Sequence, residues 1–185
     1  SAVRGCDIKP ILAENSLPTP SCSWAVIQHQ ALGALVITAS HNPPEWLGLK
    51  IKGPWGGSVD ENFTDAVEQR LRAGGQKIPV SGEMETFDFR KQHLLDLRKK
   101  INIKAISKGF QNNGMKVIVD PMHGSAAGCL TELFDGNADS FLQEIRTDRD
   151  PLFGGNPPEP MEKYVNELIS SVRKSSDSGV PTLGL

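Results

Sequence analysis

The chain has 185 residues, enough for one ordinary domain or two small ones. With 38% hydrophobic and 23% charged residues it has the balance of a globular chain rather than a disordered one. Its formal net charge of −2 gives no electrostatic case for nucleic acid or an anionic membrane as a partner. Cys6, Cys22 and Cys129 have no CxxC spacing, which argues against a disulfide framework and a zinc site and suits a reducing cytoplasm. The longest nearly unbroken apolar run, residues 31–39, falls far short of the roughly 18 residues a membrane span needs. No charged-then-apolar leader opens the chain, and its first residue is Ser rather than Met, as in a processed or partial chain.

In chain order, residues 8–13 (IKPILA) read as a short strand. Thr19 then Pro20 predict a helix start: a hydroxyl to cap free N–H groups, and a proline at the first helical position. That helix is expected to stop near Gly33. Residues 34–38 are continuously apolar, the pattern of a buried central strand, and run abruptly into the polar loop ASHNPPE. A second short strand follows at residues 49–52. Ser58 and Glu61 read as a capping box for a helix with Phe63, Val67 and Leu71 on one face, ended by Gly74 and Gly75.

From Phe87 to about Phe110 the pattern is helical and charged. Its basic stretch, residues 98–108, is interrupted by Ile101, Ile103 and Ile106 and reads as a solvated helix face. A second unit opens at Met115 with the buried-strand signature KVIVD, followed by the loop PMHG and a helix over about 125–135. A strand near 141–145 and a Pro- and Gly-rich loop over 150–160 come next. A helix then carries Tyr164, Leu168 and Val172 on one face, and residues 182–185 begin another strand. Strands alternating with helices make the chain α/β, with mostly parallel sheets.

The chemistry concentrates at residues 38–45, TASHNPPE. A strand delivers Ser40 to the carboxyl end of a sheet, where α/β folds place their ligands. His41 and Asn42 follow, and Pro43–Pro44 stiffen the loop, lowering the ordering cost of holding a phosphate. Lys50 lies ten residues on, a candidate cation and proton carrier. Against this stands the bland alternative, that most exposed serines cap or turn the chain. Lys50 can equally be a surface lysine. A hydrolase does not fit: there is no G-x-S-x-G elbow, and a histidine at i+1 is poorly placed to deprotonate its neighbour. His123 could face a ligand but reads as bonding within its own loop or at a domain interface. Residues 144–150 could mimic a metal or phosphate site but read as a salt-bridged loop at a domain boundary. His29 and His93 read as surface or packing residues, and Trp24, Trp46 and Trp55 as packing residues.

TASHNPPE, with LGLK after it and a helix containing Phe63-Thr64, resembles the active-site loop of the α-D-phosphohexomutases, the phosphoglucomutase/phosphomannomutase family. VIVDPMHG and EIRTDRDPLFGGNPPEP resemble that family's second domain, in the family's order and spacing. The two matches together cover most of residues 7–185. The resemblance implies two αβα-layered units with mostly parallel mixed sheets, a partial set of a four-domain architecture. Residues 1–110 would hold part of domain 1 with the phosphoserine loop and connector, and residues 111–185 domain 2, truncated before the metal loop.

The implied activity is a mutase that interconverts hexose 1-phosphate and hexose 6-phosphate through a phosphoserine enzyme and a bisphosphosugar. Ser40 would be the phosphocarrier and one Mg²⁺ contact, His41 and Lys50 proton carriers or phosphate partners, and Thr38 and Asn42 phosphate-binding, loop-shaping residues. Mg²⁺ with most ligands beyond Leu185, and a hexose bisphosphate activator, are implied as well. So are a cytoplasmic setting and hexose phosphate as the partner, with neither nucleic acid nor membrane. Because the resemblance puts the metal loop and the clamp for the second phosphate outside this chain, the isolated chain is expected to be poorly active. A truncated first domain would also expose a sheet edge and apolar surface, favouring self-association or marginal stability.

Two departures bear on which sugar is used: Trp46-Leu47 where many members have Tyr-Asn, and Ser125-Ala126-Ala127 where many are richer in glycine. The competing readings are a catalytically inactive relative kept for sugar-phosphate binding or protein contacts, and a generic anion-binding α/β module.

Overall fold

A computed structural model describes residues 8–74 and 83–185; Cys6 and Gly75 lie outside the described residues. The chain divides into two compact units, residues 1–36 with 49–92, and residues 37–48 with 93–185. The architecture is mixed α/β with parallel sheets.

In the first unit the elements are β1 (Ile11–Ala13), α1 (Thr19–Gln28), β2 (Ala34–Ile37), β3 (Leu49–Lys52), α2 (Glu61–Arg72) and β4 (Glu85–Phe87). The last residue of β2, Ile37, groups with the second unit. β1 and β4 pair in parallel, with Ile11 opposite Glu85 and Ala13 opposite Phe87. β2 and β3 form a separate two-stranded sheet. The inner face of α1 buries Ser21, Ala25 and Val26, the last 2% exposed. A side chain at position 33 would run into the carbonyl of Lys52, so the approach of these two backbones demands glycine there.

Several local expectations are corrected. Thr19 is the first helical residue rather than the cap; Pro18 takes the cap position with no side-chain bond, and its carbonyl accepts the N–H groups of Ser21 and Cys22. The helix stops at Gln28, five residues before Gly33. Gln30 takes a φ of 48°, its N–H bonds the carbonyl of Ile27, and that of Ala31 bonds the carbonyl of Val26. That is a Schellman ending with glutamine in the place glycine usually takes.

β2 is not buried on both faces, because Leu35 is 56% and Ile37 72% exposed. The N-cap of α2 is Asp60, whose Oδ1 accepts the Phe63 N–H at 2.9 Å, while Ser58 Oγ accepts from Lys52 Nζ. Phe63, Val67 and Leu71 keep the helical spacing, but Phe63 and Leu71 are exposed.

The stretch read as one charged helix is three elements. Phe87 ends β4, α3 spans Phe89–Lys100, and α4 spans Ile103–Asn112 after a break at which the Asn102 side chain accepts the Ala105 N–H. Phe87 and Phe89 flank His29, with ring centroids 4.8 and 5.1 Å from the imidazole, so His29 packs.

The second unit continues with β5 (Lys116–Val119), α5 (Cys129–Phe134), β6 (Leu142–Glu144), α6 (Asn166–Asp177) and β7 (Thr182–Gly184). The strand order is β6-β5-β7, all parallel, with Val117 opposite Leu142 on one side and Leu183 on the other. β5 is a true central strand, and Val117 and Ile118 are buried. Phe134, Ala138 and Phe141 pack with Val117 as the core, joined by Phe110, whose ring stacks on Phe141 at 5.0 Å. α5 is shorter than predicted because residues 125–128 are spent on turns. Tyr164 sits in a 3-10 turn before α6 rather than in it, while Leu168 and Val172 pack against β7 at Gly184.

Candidate active-site loop

Residues 39–47 form a loop with a closed neck. Thr38 N–H bonds the Gly48 carbonyl at 2.9 Å and Gly48 N–H bonds the Thr38 carbonyl at 3.1 Å, the reciprocal exchange of an antiparallel pair. A Cβ at position 48 would lie 3.0 Å from the Thr38 carbonyl oxygen, so a small residue suits this neck. Within the loop, Asn42 N–H bonds the Ala39 carbonyl at 3.1 Å and closes a four-residue turn with Ser40 and His41 at its centre. Of those two only Ser40 has positive φ, 58°. A positive φ is a conformation usually held by glycine and uncommon for a residue with a side chain.

Three side chains support that turn. Thr38 Oγ1 accepts the Ser40 N–H at 3.0 Å, Asn42 Nδ2 donates to the Ala39 carbonyl at 2.9 Å, and Ser40 Oγ lies 3.4 Å from His41 Nδ1. Ser40, His41 and Asn42 are exposed and Thr38 is half-buried. The loop thus presents the Ser40 hydroxyl and an imidazole to solvent on a strained backbone. The structure brings Ser40, His41, Thr38 and Asn42 together. Thr38 and Asn42 spend hydrogen bonds on the backbone, a role the sequence signalled through the tendency of Thr and Asn to make local side-chain turns. Lys50, in β3, is exposed, and its side chain makes no hydrogen bond or ion pair among the described residues. Trp46 and Leu47 are also exposed, which removes Trp46 from the packing residues, and Trp55 is 62% exposed with its ring against Gly53 and Gly57.

A second cluster lies at the carboxyl end of β5. Asp120 follows the strand, 1% exposed at its side chain, and accepts two bonds from Arg146, from Nε at 2.8 Å and from Nη2. It also accepts the Met122 N–H, while Arg146 reaches the Tyr164 carbonyl. The hydrogen bonds it gives the Asp120 carboxylate raise the pKa of the Arg146 guanidinium. His123 Nδ1 bonds within the same loop cluster, 3.0 Å from the Asp148 carbonyl and 3.3 Å from its carboxylate. The N–H groups of Leu152 and Gly154 hold the Asp150 carboxyl below its usual range. Residues 144–150 are therefore a bonded structural loop. Sequence reasoning missed Asp120, which carried no local signal of a partner 26 residues away.

At the α3–α4 junction an open depression of about 540 Å³ is lined by Arg98, Lys99, Lys104 and Phe134. Arg98 bonds the carbonyls of Leu133 and Glu132 at the end of α5. Among the described residues no group of three His, Cys, Asp or Glu side chains gathers to hold a metal ion. Nor is any described helix long and apolar enough to cross a membrane.

Residues 2–77 match the family model for phosphoglucomutase/phosphomannomutase, alpha/beta/alpha domain I. Over 98% of this chain a phosphoglucosamine mutase from Methanococcus vannielii is 30% identical. The chain belongs to the phosphohexomutase family. A phosphoglucomutase/phosphomannomutase from Thermococcus kodakarensis is 28% identical over 95% of the chain. This family chain spans 38% of the length of each of those two relatives. A solved structure from Thermus thermophilus, assigned as a phosphomannomutase, superposes with a TM-score of 0.79 at 30% identity, covering 92% of this chain and 38% of that one. The phosphoglucomutase parafusin of Paramecium shares the fold at 20% identity and a TM-score of 0.74, covering 95% and 38%.

Proposed function

We propose that the protein is a hexose phosphate mutase in which Ser40 carries the transferable phosphate. The observation that carries this reading is the Ser40 hydroxyl, exposed at a positive-φ turn beside His41 in a loop with a closed neck. Relatives along nearly the whole chain are named as mutases.

In the first step the bond between phosphorus and Ser40 Oγ breaks as one forms to a sugar hydroxyl oxygen, giving a hexose bisphosphate. The hydroxyl proton passes to a base, for which His41 and Lys50 are the candidates. In the second step the bisphosphate returns its other phosphoryl group to Ser40 Oγ, and the proton goes back to the departing sugar oxygen. Such transfer asks for in-line positioning and charge stabilisation more than for a strong base.

A phosphoserine carries about −1.5 to −2 charges at neutral pH, so a cation close by is required. Mg²⁺ is the cation we assign to the protein. Ser40 would supply one oxygen to the ion, which takes about six, and when bound the ion would offset the phosphoserine charge; among the described residues no group of three His, Cys, Asp or Glu side chains gathers to complete the set. For the 185-residue chain alone we expect poor turnover, and a hexose bisphosphate is the expected activator.

Phosphopeptide mapping of the full-length protein, with a coupled assay of wild type and Ser40→Ala on glucose 1-phosphate, mannose 1-phosphate and glucosamine 1-phosphate, tests the reading. Phosphate on Ser40 and loss of turnover in Ser40→Ala are expected, with folding unchanged. A wild-type protein that never carries phosphate on Ser40 and turns over none of the three sugars would instead be an inactive relative.

A further inference from the structure

We infer that Thr38 is a positioning residue for phosphoryl transfer, acting through the backbone of Ser40 rather than through contact with phosphate or sugar; this rests on the phosphocarrier reading above. Ser40 occupies a turn position that disfavours any side chain, with φ at 58°. A non-glycine residue stays in such a conformation only where its surroundings over-determine it. At Ser40 the over-determination is visible. The amide donates to Thr38 Oγ1 at 3.0 Å, and the carbonyl of the preceding Ala39 takes two bonds from Asn42. Thr38 is itself pinned by the reciprocal pair with Gly48, so its hydroxyl is presented from a fixed frame.

Without that hydroxyl the Ser40 N–H loses its partner, and negative-φ conformers become competitive. In those conformers Oγ leaves the direction that in-line transfer needs. The Thr38 hydroxyl has spent one lone pair on the amide. The amide bond gives it a definite job without any contact to the reacting atoms.

The test uses the full-length protein with Thr38→Val, which keeps the shape and removes the hydroxyl, and Thr38→Ser, which keeps the hydroxyl. Transfer of ³²P from labelled glucose 1,6-bisphosphate to Ser40 and steady-state turnover of glucose 1-phosphate with Mg²⁺ are measured, together with the melting temperature. For Thr38→Val we expect kcat and the labelling rate to fall about tenfold, equivalent to about 1.4 kcal/mol. KM should stay within about twofold and melting should change little. Thr38→Ser should recover most of the rate.

A raised KM with unchanged kcat would make Thr38 a substrate-binding residue and overturn the inference. A Thr38→Val protein as fast as wild type would overturn it too, as would failure of Thr38→Ser to rescue. Absence of label on Ser40 in the wild type would overturn the phosphocarrier reading and this inference with it. A labelled wild type with equally fast Thr38→Val overturns this inference alone.

Discussion

Asp120 is the residue on which the second unit's loops converge. Its side chain, 1% exposed, accepts from Arg146 and from the Met122 N–H, and Arg146, 14% exposed, ties the same point to the Tyr164 carbonyl. Removing one partner of a buried pair leaves the other charge uncompensated, which costs about 3–5 kcal/mol. Asp120→Ala is expected to lower the unfolding free energy by about that amount, read from urea melts. A loss below about 1 kcal/mol would mean that water reaches Arg146 freely. Of the sequence reading of residues 144–150 as a salt-bridged loop at a domain boundary, the Arg146–Asp120 ion pair bears out the salt bridge. It did not identify Asp120 as the partner, because a pairing across 26 residues is made by the sheet that brings β5 beside β6.

The elements differ from their predicted limits mainly at their ends. Ends are set by a few orphan N–H and C=O groups, which neighbours can satisfy in several ways. At α2 the cap is Asp60, the residue directly before the helix, which accepts the Phe63 N–H, while Ser58 accepts from Lys52 instead. At α1 the backbone turns out at Gln30, well before the glycine that the sequence offered. A non-glycine residue in the left-handed region costs roughly 1–2 kcal/mol. Gln30→Gly should therefore stabilise the protein by about 1 kcal/mol, less the entropy that glycine adds to the unfolded chain. The check is the urea midpoint at constant slope. An unchanged or lowered midpoint would show that the Gln30 side chain contributes contacts of its own.

At the scale of the molecule, exposed apolar side chains decide behaviour. Leu32, Leu35, Ile37, Trp46, Leu47 and Leu49 are all more than half exposed, and β2 pairs only β3 among the described residues. An unpaired edge with apolar side chains is a template for association. The 185-residue chain alone is expected to associate reversibly between about 1 and 100 μM. Sedimentation velocity should show it, and Ile37→Lys should suppress it. A monomer across that range would mean that these side chains are tolerated singly, as scattered surface hydrophobes are.

The alternation of strands and helices, the α/β class and the loop at residues 38–45 were determined by the sequence alone, whereas β4 and the break between α3 and α4 were not. Hydrophobic period and turn chemistry are local properties that survive in any context. KVIVD read as a buried strand and is one, because helices and strands of its own unit cover it. ALVIT carried the same signal, and only the tertiary structure decided otherwise. An apolar run states what a strand can bury, whereas neighbours supplied from elsewhere decide what it does bury. Ser40 was legible as the loop's hydroxyl. Its positive φ and the Thr38 bond behind it were not, because they arise from the neck that Thr38 and Gly48 close across ten residues of chain.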